Sequence, residues 1–268
     1  MRAASKTGLR KSPGGAGGKA QTEIEVKLRV ADRRRLLRQL ARLRAELTGA
    51  RVHEMNTLYD TAEGNLARQG RMLRVRVERP ASGSKPSGKI RQGQARGVSD
   101  FSAVLTFKGP VGPPRREAKR AAEEIRKKER APAYKIREEH EIRVSDQEEV
   151  SRIIEGLGFR PCFRYEKFRT TYRLPGIRDL KLEVDETPIG LFLELEGPGR
   201  AIDRAAARLG FGRAEYINKS YAALFMEERG VGRRFKSRKS AGAEAGKASH
   251  DEPTRFSGLP DMLFSSSR

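Results

Sequence analysis

Between about residues 21 and 226, short segments of alternating apolar and charged side chains are separated by segments in which apolar residues return every three or four positions. Alternation at period two marks a strand with two unlike faces, and a period near 3.6 marks an amphipathic helix. Eight alternating segments begin near Thr22, Arg51, Arg71, Ser102, Lys135, Phe163, Leu180 and Leu191. Asp32 is a capping residue ahead of a stripe of Leu36, Leu37, Leu40, Leu43 and Leu47, with Gly49 as the stop. Ser145 and Glu148 make a capping box before Val150, Ile153, Ile154 and Leu157, and Gly158 ends that helix. Two further helices are predicted over about 201–209 and 215–226. The expected architecture is α+β and predominantly antiparallel: an eight-stranded closed β-barrel with helices packed outside.

The charged positions of the strands sharpen this picture. Glu23, Glu25 and Lys27 share one face of the first strand, and Ile24, Val26 and Leu28 share the other. By the same alternation Arg74 pairs with Arg76, Arg137 with Glu139 and Glu141, Lys167 with Arg169, Glu183 with Asp185, and Glu194 with Glu196, while Lys108 closes its strand. One such face is ordinarily the wet side of an open sheet. Six together, built almost wholly from Glu, Asp, Lys and Arg, fit that reading less well, because a solvated face also uses Ser, Thr and Gln. If the helices cover the apolar faces, the charged faces line the barrel interior. An empty interior of that kind is costly at reduced dielectric, whereas a polyanion with divalent cations balances it. Carboxylates suit hard cations such as Mg²⁺ or Mn²⁺, and Arg and Lys suit phosphate oxygens.

Composition narrows the setting. The 268 residues carry a net charge of +22, which by itself points to polyanionic partners. Part of that charge lies in residues 1–20 and 227–268, both read as disordered basic tails around a single domain at 21–226. Stretches at about 80–100 and 113–133 lack a core-facing pattern and are read as insertions. With Cys162 as the one cysteine and three histidines, neither a disulfide nor a Cys/His metal cluster is available, and a cytoplasmic setting is expected. No apolar run approaches the roughly 20 residues that span a bilayer, so no membrane partner is expected.

The ordered set of motifs resembles the CYTH superfamily, the triphosphate tunnel metalloenzymes. Its pieces are the ExExK of Glu23, Glu25 and Lys27, NTLYDT at 56–61, the RxR of Arg74 and Arg76, and TFKGP at 106–110. REEHEI at 137–142, KFR at 167–169, LEVDETPIGLFLELEG at 182–197 and NKSY around Lys219 follow in order. The resemblance implies a triphosphate tunnel in which Lys27, Arg74, Arg76, Lys108, Arg137, Lys167, Arg169 and Lys219 grip a small-molecule triphosphate. It implies Mg²⁺ or Mn²⁺ held among Glu23, Glu25, Glu139, Glu141, Glu183, Asp185, Glu194 and Glu196. Lys27 is a candidate base whose pKa neighbouring cations would lower, and Glu25 a candidate for the attacking water.

Within that resemblance the expected activity is hydrolysis of inorganic triphosphate or a nucleoside triphosphate, with class IV adenylyl cyclisation of ATP as the alternative. The absence of Trp disfavours a thiamine triphosphatase of animal type. A polyphosphate or nucleotide binding module without catalysis would not need the full set of carboxylates. A plain nucleic-acid binder would show exposed aromatics among its basic residues, and aromatics are 6% here. Contact of the basic tails with nucleic acid or polyphosphate, and a monomeric or homodimeric state, complete the expectations.

Overall fold

The computed structural model describes residues 21–81, 102–112, 134–229 and 261–264. Among the described residues there are nine strands: β1 (Gln21–Val30), β2 (Glu46–Asp60), β3 (Met72–Pro80), β4 (Ser102–Lys108), β5 (Lys135–Val144), β6 (Arg160–Arg173), β7 (Lys181–Thr187), β8 (Gly190–Glu196) and β9 (Asp261–Met262). The helices are α1 (Arg33–Arg42), α2 (Asn65–Arg68), α3 (Gln147–Gly156), α4 (Gly199–Arg208) and α5 (Tyr221–Glu228). Strands pair in the order β2-β3-β4-β5-β1-β8-β7-β6, and β6 pairs back onto β2, which closes the barrel of eight antiparallel strands. Closure leaves each of those strands with a neighbour on both sides and an inner and an outer face.

The outer faces meet the helices. Val26, Leu28, Leu182, Val184, Leu193 and Leu195 form one buried cluster with Leu36 and Leu40 of α1 and Ile202, Ala205 and Ala206 of α4. Each fully buried Leu or Ile there contributes roughly 1.5–3 kcal/mol. On the opposite side, Ile154 of α3 packs on Tyr59 and Val75. This covering forces the charged halves of the strands inward.

Several boundaries differ from the sequence reading, each for a local reason. Helix α1 ends at Arg42 because Arg44 turns left-handed and Ala45 N–H donates to the Leu40 carbonyl. Leu47 therefore belongs to β2, where its side chain is exposed, and β2 starts five residues before Arg51. Gly49 is not a helix stop; it lies where β2 and β6 change register, and a Cβ there would stand 3.1 Å from Thr171. Asp146, not Ser145, caps α3 through the N–H groups of Glu148 and Glu149. Residues Arg213–Glu215 form a separate 3₁₀ turn, and α5 begins at Tyr221, capped by Ser220.

The insertion at about 80–100 and the one at 113–133 lie almost wholly outside the described residues, as do residues 1–20, 230–260 and 265–268. Within the segment read as a C-terminal tail, Asp261 and Met262 pair in parallel with Arg164 and Tyr165 of β6. Met262 is buried there against Phe163, Tyr165, Leu224 and Phe225.

Candidate active site

Spacing of two along the strands carries Glu23, Glu25 and Lys27 of β1, Arg74 and Arg76 of β3, and Arg137, Glu139 and Glu141 of β5 to one central cavity. Lys108, Lys167, Arg169, Glu183, Glu194 and Glu196 line the same cavity, whose volume is about 120 Å³. Residues from β1, β3, β4, β5, β6, β7 and β8 thus converge as the alternation requires.

The cavity has a floor and a mouth. Phe163, Tyr165 and Phe192 lie on the same strand faces as the charged residues and pack with Tyr221, Leu224 and Phe225 of α5. Phe192 meets Tyr221 edge-on at 5.4 Å between centroids, and Phe163 lies 5.6 Å from Phe225. Side-chain exposure rises from 4% at Lys27 and 3% at Lys167, near this plug, to 38% at Glu141 and 49% at Lys181. The tunnel is therefore closed beside Tyr221 and opens past Lys181, Glu196 and Glu141.

Ion pairs join the walls. Lys27 bridges Glu25 at 3.1 Å and Glu194 at 2.9 Å, and Lys135 meets Glu25 at 2.6 Å. Arg169 grips Asp185 with two nitrogens, at 2.7 and 2.6 Å, and also meets Glu183 at 2.5 Å and Glu194. Lys167 lies 2.9 Å from Asp185 and 3.4 Å from Glu54. Lys108 meets Glu23 and Glu139 at 2.5 and 3.1 Å, while Glu141 faces Arg74 and Arg76.

These neighbours decide the protonation states. Burial works against charge on Lys27, but Glu194 and Glu25 outweigh it and raise its pKa. The nearest neighbours of Lys27 are thus carboxylates, and they act in the direction opposite to the lowering by cations that was expected for a base. Burial lowers Lys135 to about 8, with Lys27 and Arg137 adding to the effect against the pull of Glu25. Burial also raises Glu23 to about 7, helped by Glu25 and opposed by Lys108. For Glu25, burial is overcome by Lys27 and Lys135, so its pKa falls well below the carboxylate range.

Two expected site residues stand elsewhere. Asp185 is fully buried behind the lining, its oxygens taken by Lys167, Arg169 and a hydrogen bond donated by Tyr221 Oη at 2.7 Å. All three of these partners line the tunnel. Lys219 precedes the α5 cap and turns outward to Glu227 at 2.7 Å, with its side chain half exposed. Conversely, Glu54, Lys135, Lys181 and Tyr221 belong to this network or its lining and were not singled out from sequence. Continuing the alternation backward gives Lys135 from Arg137 and Lys181 from Glu183, whereas Tyr221 carries no comparable signal.

The CYTH domain matches residues 21–221, three quarters of the chain. The chain belongs to the CYTH domain family. A curated relative, "Putative adenylate cyclase MJ0240" of Methanocaldococcus jannaschii, is 24% identical over 175 residues, covering 65% of this chain and 75% of the relative. Among solved structures, PH1819 of Pyrococcus horikoshii is similar with a TM-score of 0.55 at 18% identity, covering 77% of this chain and 99% of that one. A Vibrio parahaemolyticus protein described in the same words, a "putative adenylate cyclase", gives 0.53 at 16%, with coverage of 77% and 99%. These likenesses agree with the tunnel architecture. CYTH domain proteins are enzymes, and those of the tunnel type are in general metal-dependent.

The donors of this CYTH tunnel fit a hard divalent cation by chemistry. Its acidic lining is carboxylate throughout, and the described lining holds no thiol or imidazole. Glu25 faces Glu196 and Glu183 faces Glu194 across adjacent strands. Among the described residues no three acidic side chains converge as a ready metal cage, and those that line the tunnel are each paired with Lys or Arg.

Proposed function

We propose that this chain hydrolyses a linear triphosphate, inorganic or nucleoside, inside the tunnel with Mg²⁺ or Mn²⁺ bound. The observation that carries this reading is a blind tunnel whose wall carries both phosphate-type cations and cation-type carboxylates, paired with one another. An incoming triphosphate offers Lys27, Arg74, Arg76, Lys108, Arg137, Lys167 and Arg169 new partners. The carboxylates they release, Glu25, Glu183 and Glu194 with Glu23, Glu139 and Glu141 nearer the mouth, would then hold the metal, with Glu196 also at the mouth. The metal supplies charge neutralisation on the phosphoryl oxygens.

Phosphoryl transfer passes through a loose transition state whose chief demands are position and charge compensation. Arg gives bidentate contacts and Lys a point charge to that end. Protonated Lys27 contacts phosphate and does not abstract a proton. Glu25, ionised at neutral pH, orients the attacking water. The closed floor favours attack on the terminal phosphorus, since the end of a linear polyanion is what reaches it.

A second reading, cyclisation of ATP, draws on the names of the relatives. Product analysis with tripolyphosphate and ATP, each with Mg²⁺ or Mn²⁺, separates the two. Orthophosphate is expected from both substrates, and cyclic AMP with pyrophosphate from ATP would overturn the hydrolytic reading. Glu25→Gln and Arg76→Ala are each expected to lower kcat about 100-fold with the fold retained. Full turnover in either variant would refute the assigned roles.

A further inference from the structure

Among the described residues, β2 is the barrel strand that lends nothing to the wall of the tunnel. Its register nevertheless fixes which of its side chains point inward: Glu54 stands opposite Lys167, Asn56 opposite Arg76 and Tyr165, and Leu58 opposite Arg74 and Phe163. Directly paired residues of adjacent strands project to the same face. Asn56, the first residue of the NTLYDT segment, therefore lies inside the barrel between Arg76 and Tyr165, both of which line the tunnel.

Asn56 is 2% exposed, and among the described residues neither its Oδ1 nor its Nδ2 has a hydrogen-bond partner. A buried amide left unpaired is a net cost to the fold, which an apolar side chain of similar size would avoid. The complementary group lies beside it: the Nε–H groups of Arg74 and Arg76 are also buried and without a hydrogen bond. Arg76 Nε is 2.9 Å from Glu78 Oε1, an ion pair without hydrogen-bond alignment, and a terminal nitrogen is 3.7 Å from Glu141. Arg74 spends its terminal nitrogens on Tyr165, Thr106 and Glu141. Of the two, Arg76 is the one paired directly with Asn56. A guanidinium that turns both terminal nitrogens to a phosphate keeps its Nε–H for a protein acceptor.

Resting on the hydrolase reading above, we propose that Asn56 is a positioning residue for Arg76. When the guanidinium leaves Glu78 and Glu141 for phosphate oxygens, Asn56 Oδ1 accepts its Nε–H and fixes the fork toward the triphosphate. The amide thus weakens the free protein and strengthens the bound one.

Asn56→Leu in the full chain separates this role from that of an ordinary core asparagine. Its urea midpoint without ligand is expected to equal or exceed that of the unaltered chain, because an unpaired amide is removed. Its affinity for tripolyphosphate, read by calorimetry under chelation so that no turnover consumes the ligand, is expected to fall about tenfold, the scale of one hydrogen bond to a charged group. In an Arg76→Lys background, which has no guanidinium Nε–H to hold, the same change should leave affinity as it was. Asn56→Ala gives the same affinity readout if Asn56→Leu does not fold. Unchanged affinity in the Asn56 variants, a tenfold loss that persists in the Arg76→Lys background, or a lowered midpoint in Asn56→Leu would each overturn the positioning role. An unaltered chain that binds tripolyphosphate but releases no phosphate with Mg²⁺ or Mn²⁺ would instead overturn the hydrolase reading and leave the role of Asn56 in place.

Discussion

Glu54 is 1% exposed and stands between Lys167 and Arg169. Burial pushes its carboxyl up, but Lys167, Arg169, Arg76 and Arg74 outweigh that and hold it at about 2. A carboxyl depressed below its ordinary 4.5 stabilises the fold above that pH, and the contribution fades as pH falls from about 4.5 toward 2. Glu54→Gln should therefore unfold more readily at pH 7 and show a flatter loss of stability over that acid window. Denaturant midpoints at several pH values check this, and an acid limb identical to that of the unaltered protein would contradict it. At this scale the sequence revealed most inward-facing charges, because a strand's alternation fixes which side chains share a face. It did not reveal which carboxylates line the cavity and which are wholly taken up by neighbouring side chains. Asp185 and Glu194 both sit on inward faces, yet Asp185 is consumed by Lys167, Arg169 and Tyr221. Lys27 and Lys135 make the same point: both meet Glu25, but Lys27 has Glu194 as well and keeps its proton more strongly.

Among the elements, the strands were legible where alternation is long and the helices where a cap precedes an apolar stripe. The boundary between α1 and β2 was not, because Leu43 and Leu47 continue a helical spacing across a turn made by Arg44 in a left-handed conformation. The last strand was not legible either, since two residues cannot display a period. Yet β9 matters to the floor of the site. It pairs with β6 at Arg164 and Tyr165, and Met262 is 1% exposed against Leu224 and Phe225 of α5, the helix that supplies Tyr221. Met262→Ala should cost about 2 kcal/mol, the lower end for a buried methionine, and lower the urea midpoint accordingly. A midpoint equal to that of the unaltered protein would show that β9 contributes no stability to the plug.

On the scale of the whole molecule, the central fact is a division of surfaces. Helices α1, α3 and α4 take the apolar faces of the strands, and α5 with its aromatic partners closes one end of the barrel. The ionic faces are left to one tunnel whose charges pair with each other across seven strands. Such a wall is stable in the absence of ligand only because it is paired, and under the proposed function a polyanion and a cation bind together by exchanging those pairs. Net charge of +22 says little about this, since much of it lies outside the tunnel. The most direct measurement is a crystal structure of the chain grown with tripolyphosphate and Mn²⁺. The expected result is phosphorus density along Arg169, Arg76 and Lys108, with an anomalous manganese peak beside Glu194 or Glu25. Tripolyphosphate bound on the outer surface, with the Lys27–Glu194 and Arg169–Glu183 pairs unchanged, would contradict the account.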